Sequence, residues 1–135
     1  MNGVPQTLAT STRRWLRRSI ALAVVGALGL AFDRFLLRVA VEGNSMVPTL
    51  LPGDRLLFRR VWRSSSLAVG MVVCFQDPRR GEDRWLVKRI ASLDNGLAEV
   101  AGDNTTASTD SREFGSIPLS ELRWVLVRRY NRAGP

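Results

Sequence analysis

The chain has no histidine, one cysteine and one lysine among its 135 residues. Without histidine, a Ser-His-Asp triad, a Cys-His pair and the His-based zinc sites are excluded. The single cysteine, Cys74, can form no internal disulfide and no thiolate cluster for a metal or an iron–sulfur centre. It lies in the apolar run GMVVCF, which suits a small buried hydrophobe better than a reactive thiol. Acid–base or nucleophilic chemistry in this chain must therefore rest on Ser, Thr, Lys, Tyr or carboxylates. No metal and no organic cofactor is implied.

What is present is ordinary for a folded protein: 45% hydrophobic and 24% charged residues. The length allows one domain with a modest core and one extra segment. A net charge of +8 raises the question of an anionic partner, nucleic acid or a phospholipid surface. The arginines, however, are spread from Arg13 to Arg132 rather than gathered in one run, which reads as a solvated basic surface. No nucleic-acid partner is expected.

Residues 1–12 are small and polar and are expected to be disordered. RRWLRR (13–18) precedes SIALAVVGALGLAF (19–32), which carries no charge. Fourteen helical residues cover about 21 Å, short of the roughly 30 Å hydrocarbon core. Counted from Trp15 to Leu37 the segment is long enough if Arg17, Arg18 and Arg34 snorkel toward the headgroups. The expectation is a polar tail (1–14), a single-pass transmembrane anchor helix (15–37) and a domain over 38–131. The excess of arginine before the apolar run puts the N-terminus in the cytoplasm and the domain outside the cell membrane. Two other readings stay open: a cleavable signal peptide, with TRRWLR approaching a twin-arginine signal, and a helix of a soluble domain.

Beyond Ala40 short extended segments replace the helical pattern. The runs 54–62, 70–77, 84–93, 96–103 and 123–131 are rich in Val, Leu, Ile and aromatics, with turn formers between them. Asp94-Asn95-Gly96 between two apolar runs predicts a hairpin. The fold class read here is mainly β: one small β domain behind one hydrophobic helix.

Three stretches could carry chemistry. EGNSMVPTLLPGD (42–54) offers the hydroxyl of Ser45 where the anchor meets the first strand, with Pro48 and Pro52-Gly53 fixing the backbone that follows. By itself it reads as a polar turn. RWLVKRIASL (84–93) holds Lys88, so the other 19 of 20 basic residues are arginines. A serine nucleophile needs a base, and without histidine a neutral lysine is the natural one. At its reference pKa only about one lysine in 2,500 is neutral at pH 7, but burial among groups such as Trp85, Leu86, Val87 and Ile90 disfavours the ammonium. Arginine cannot serve, because it does not deprotonate in proteins. The bland alternative is a surface charge that happens to be Lys. AGDNTTASTDSREFG (101–115) reads as an exposed loop that could also orient an amine, braced by an Asp110–Arg112 pair.

Taken together, the three stretches resemble the type I signal peptidases, membrane-anchored serine endopeptidases with a Ser–Lys dyad. GNSMVPTLLPGD is similar to the family's nucleophile motif, LVKRIASL to its lysine motif and GDNTTASTDSREFG to its third motif. The resemblance covers about Arg38 to Tyr130 and implies a signal-peptidase-like β fold. It implies Ser45 as nucleophile, Lys88 as general base and later general acid, and Ser108 as the hydroxyl that orients Lys88. It further implies an oxyanion hole from the backbone of Ser45 with help from Asn44, and a substrate cleft lined by Met46 and Val87. Gly102, Asp103, Asn104, Asp110 and Arg112 would be structural supports. The implied partners are precursor proteins with leader peptides and a phospholipid membrane.

This chain departs from the family pattern in three places. Gly43 stands where some members place an oxyanion-hole hydroxyl, ASLDNG replaces the Gly-Leu-Pro-Gly-Asp that often follows the lysine motif, and 13 residues separate Lys88 from Gly102, too few for a second β domain. The compact form is also similar to dedicated maturation peptidases, such as those for the nickel superoxide dismutase precursor. Other readings are a self-cleaving repressor, which would need a DNA-binding N-terminal domain, and a non-catalytic basic module that binds membrane surfaces.

Overall fold

The computed structural model describes residues 9–132. The chain divides into two compact units, one ending at Phe35 and the other beginning at Leu36. The first unit contains helix α1 (Ala9–Asp33). The expected disorder of residues 1–12 falls largely outside the described residues, and Ala9–Thr12 belongs to the start of α1. No helix among the described residues is long and apolar enough to cross a membrane. The charge-free run inside α1 is only Ser19–Phe32, and the arginines at 13, 14, 17 and 18 belong to the same helix.

The expected helix over 15–37 runs too far. Leu36 and Leu37 open strand β1 (Leu36–Ala40), whose side chains alternate between Leu37 and Val39 on one face and Arg38 and Ala40 on the other. That period of two suits a pleated edge strand. All ten residues of β1 and its partner segment pair in register, from Leu36 opposite Arg59 to Ala40 opposite Arg55.

The second unit is one antiparallel sheet of seven strands in the order β1-β2-β7-β3-β4-β5-β6. The remaining strands are β2 (Arg55–Arg60), β3 (Val72–Gln76), β4 (Trp85–Asp94), β5 (Leu97–Ala101), β6 (Ile117–Pro118) and β7 (Trp124–Asn131). Each of the five extended runs named from sequence holds one of the long strands. The β4–β5 hairpin closes through Asn95-Gly96, both at positive φ (46° and 80°), as a type I′ turn requires. A one-turn helix, α2 (Ser111–Phe114), precedes β6.

Two apolar clusters pack this unit. One gathers Val73, Phe75, Ile90, Val100, Ile117, Leu122 and Val125. The other gathers Val41, Met46, Leu50, Leu56, Phe58, Val72 and Cys74. Alternation along β3 sends Val73 and Phe75 to the first and Val72 and Cys74 to the second, so β3 is buried on both faces. Cys74 fills space as expected, and burial pushes its thiol up to about 12.

Candidate active site

A cleft of about 620 Å³ lies between the segment Leu37–Met46 and the first half of β4. Ser45, Asn44, Met46, Val87 and Lys88 all line it. Ser45 sits in the turns that follow β1 and is partly exposed, whereas Met46 is only 1% exposed and anchors the turn in the core. A backbone bond from Leu50 N to the Met46 carbonyl (2.9 Å) closes the turn behind it. The turn ends on Asp54, fully buried, whose Oδ2 accepts from Leu51 N (2.9 Å) and from Arg129 Nη1 (2.8 Å).

Lys88 stands in the middle of β4 opposite Val73 and is 2% exposed. Burial lowers its pKa from 10.5, and the charge of Arg84 lowers it further, while the Asp110 carboxylate acts in the opposite sense. Its Nζ donates to Ser108 Oγ at 3.1 Å. Ser108 Oγ in turn donates to Asp110 Oδ2 at 2.9 Å.

Asp110 organises the loop. It is fully buried and caps α2, accepting from Arg112 N at 3.2 Å. Arg112 grips it through Nε (2.8 Å) and Nη2 (2.9 Å), and Gly102 N adds a third direction at 3.1 Å. These bonds, with that of Arg112 foremost, hold the carboxyl well below the usual carboxylate range. Ser111 Oγ accepts from Val100 N (2.8 Å) and fastens α2 to β5.

Gly102 packs against both the Ser45 turn and the Ser108 side chain. A Cβ there would run into the Ser108 side chain and come within 2.5 Å of the Ser45 carbonyl oxygen. The same carbonyl accepts from Asn104 N at 2.9 Å, so the 102–104 backbone is bonded to Ser45 itself. Asp103 is held by Arg89, which donates through Nε (2.9 Å) and Nη2 (2.7 Å) and reaches the Gly70 carbonyl through Nη1 (2.8 Å).

All eleven site residues named from sequence thus fall around the cleft or in the loop that supports it. Sequence reading missed β1 as a cleft wall, although the alternation of Leu37, Val39 and Val41 with Arg38, Ala40 and Glu42 was available to reveal it. It also missed Arg89 and Arg129. Nothing in their neighbours marks the distant carboxylates, Asp103 and Asp54, that they hold. Among the described residues no cluster of three or more potential metal ligands occurs.

The family model for signal peptidase, peptidase S26, matches residues 12–96. The chain belongs to this family. The match takes in Ser45 and Lys88 and stops before the 102–112 loop. Among curated proteins, the mitochondrial ATP-independent inner membrane protease subunit 1a of Arabidopsis thaliana is 32% identical, with 72% of each chain covered. Membership makes the chain a signal-peptidase-like serine peptidase acting on precursor proteins, built on a mainly β domain.

Proposed function

We propose that the chain is a membrane-anchored serine endopeptidase that removes leader peptides from exported precursors by Ser45–Lys88 dyad catalysis. The observation that carries this reading is Lys88, buried, depressed in pKa, bonded to Ser108 and sharing one cleft with Ser45. A neutral Lys88 takes the proton of Ser45 Oγ as that oxygen attacks the scissile carbonyl carbon. The oxyanion is met by backbone N–H groups, chiefly that of Ser45, with help from Asn44. The ammonium of Lys88 then protonates the leaving amine as the C–N bond breaks, leaving an acyl-enzyme. Water, deprotonated by Lys88, hydrolyses the ester and restores Ser45. Met46 and Val87 contribute apolar wall to the cleft that receives the extended substrate, and shallow pockets favour small side chains at the cut.

The membrane part of the proposal takes α1 as a single-pass anchor whose short charge-free run spans the bilayer only with Arg17, Arg18 and Arg34 snorkelling toward the headgroups. Four arginines precede its charge-free run, which orients the N-terminus to the cytoplasm and the catalytic domain to the outer side. A helix whose central run is apolar all round needs lipid or protein around it. Resistance to alkaline carbonate extraction tests the anchor, and protease protection in sealed vesicles tests the orientation.

The dyad is tested by Ser45→Ala beside Lys88→Arg in a precursor-processing assay. Both are expected to lose at least about 10³-fold in rate, since arginine keeps the charge but cannot act as a base. Retained cleavage in Lys88→Arg would sink the dyad. Retained function in Ser45→Ala would favour the non-catalytic membrane-binding reading. A second reading, a maturation protease for one precursor, is favoured by the two-residue turn joining β4 to β5, which leaves no insertion to extend the cleft. Cleavage of only one precursor in a panel of unrelated ones would select it.

A further inference from the structure

A second pocket, of about 240 Å³, opens at the far end of β2 from Asp54. Arg60, Arg63 and Arg123 line it, together with Trp62, Ser64 and Ser120. The backbone bond from Val61 N to the Arg123 carbonyl (2.7 Å) brings the two stretches together. No acidic residue lines the pocket, and among the described residues none of the three guanidinium groups has a carboxylate at ion-pair distance. The Nε of Arg123 donates to the Ser120 carbonyl at 3.0 Å, which orients its fork. The Arg60 guanidinium lies 4.5 Å from the centroid of the Trp62 ring, a cation–π contact that presets its position.

Three cations around one concavity repel one another, and an anion bound among them removes that repulsion. Planar guanidinium forks match phosphate oxygens in pairs, and the two serine hydroxyls can supply further donors. The volume is below that of typical drug-sized ligand sites, which suits a phosphate group with a short substituent. We infer that this pocket is a binding site for a phosphate-bearing anion, separate from the cleft and independent of the dyad.

Two sources share that chemistry, a phospholipid headgroup and a soluble phosphate. The sheet begins at Leu36, which pairs with Arg59 next to Arg60, so the residues that follow the proposed anchor in sequence lie at this same end of the sheet. Trp62 is 68% exposed, an amphipathic ring of the kind that settles at membrane–water interfaces. Both features favour the headgroup.

The test uses the full chain in neutral-detergent micelles, titrated with inorganic phosphate in one arm and short-chain phosphatidylglycerol in the other. Binding is followed by tryptophan fluorescence, with Trp62→Phe assigning the signal. A saturable change is expected, and its dissociation constant should rise at least tenfold in the combined Arg60→Gln, Arg63→Gln and Arg123→Gln variant. Precursor cleavage in neutral detergent should stay within twofold, showing that the variant is folded. Binding of phosphatidylglycerol at least tenfold tighter than phosphate assigns the headgroup, and comparable affinity assigns a soluble anion. Absence of saturation in both arms, or equal binding by the triple variant, overturns the site. If the triple variant loses cleavage, Arg123→Gln alone decides: a threefold or greater loss of affinity supports the site, and unchanged affinity overturns it.

Discussion

Lys88 Nζ donates to Ser108 Oγ at 3.1 Å, joining the middle of a strand to a loop 20 residues further along the chain. The polarity of this bond is fixed by what lies behind it. Asp110 is ionised and can only accept, so the one hydroxyl proton of Ser108 goes to Asp110 Oδ2. Ser108 therefore shows Lys88 a lone pair and takes one of its N–H bonds. A neutral Lys88 held this way must direct its own lone pair away from Ser108, which leaves that lone pair available for the proton transfer proposed from Ser45.

Replacing Ser108 with alanine removes the acceptor without touching Ser45 or Lys88. Cleavage should fall about 10- to 100-fold, part of the 10²–10⁴ that a positioned base supplies. The alkaline shape of the rate profile should change as well, because the amine loses its partner. Ser108→Thr, which keeps the hydroxyl, should restore most of the rate. A Ser108→Ala enzyme with wild-type kcat/KM and pH profile would remove Ser108 from the mechanism.

Burial of Lys88 has consequences for both rate and stability. Because its folded pKa lies below 10.5, kcat/KM should rise with pH on a limb that begins below the ordinary lysine range. Between the folded and unfolded pKa values the folded state binds fewer protons, so stability climbs with pH and is lost as pH falls through the folded pKa. Lys88→Met should flatten that dependence and be the more stable protein at neutral pH. Urea denaturation at a series of pH values checks this, and parallel curves for the two proteins would count against a depressed Lys88.

Gly102 has no room for a methyl group. Its Cβ would press on the Ser108 side chain and sit 2.5 Å from the Ser45 carbonyl oxygen. Gly102→Ala must therefore part the two loops, and a displacement of about 1 Å can cost on the order of 10²-fold in rate. Cleavage should drop by about that factor with a stability loss of about 1–3 kcal/mol, as for other overpacked sites. Gly43 is the control, since a Cβ there meets nothing within 4 Å and Gly43→Ala should leave stability within about 0.5 kcal/mol.

The sheet was legible because its strands carry their signals locally: β-branched and aromatic runs, turn formers between them, and Asn95-Gly96 at the β4–β5 hairpin. The end of α1 was not, because apolar residues resume at Phe35–Leu37 just past Asp33-Arg34, and only pairing with Arg59 and Phe58 makes Leu36 and Leu37 strand. In the site, Lys88 stood out as the chain's one lysine, and Asp110–Arg112 could be guessed from proximity. The pairs Arg89–Asp103 and Arg129–Asp54 join residues 14 and 75 positions apart, a separation that no local pattern records.

Asp110→Asn separates the structural role of that carboxyl from everything else in the loop. Asp110 is fully buried, and asparagine keeps the shape but loses the charge that holds Arg112, Gly102 N and Ser108. A destabilisation of about 2–4 kcal/mol at pH 7 is expected, toward the lower end because Arg112 can re-enter solvent. The sign of the pH effect follows from its depressed pKa. Its contribution is fully present above the unfolded value of 3.8 and disappears as pH falls through the folded one. The gap between wild type and Asp110→Asn should therefore narrow in acid. Asp77, held low by Arg79 and Arg84, keeps an acid dependence of its own in both proteins. Denaturation curves at pH 7 and pH 3 measure the difference, and a gap that stays constant between them would show that Asp110 acts by shape and not by charge.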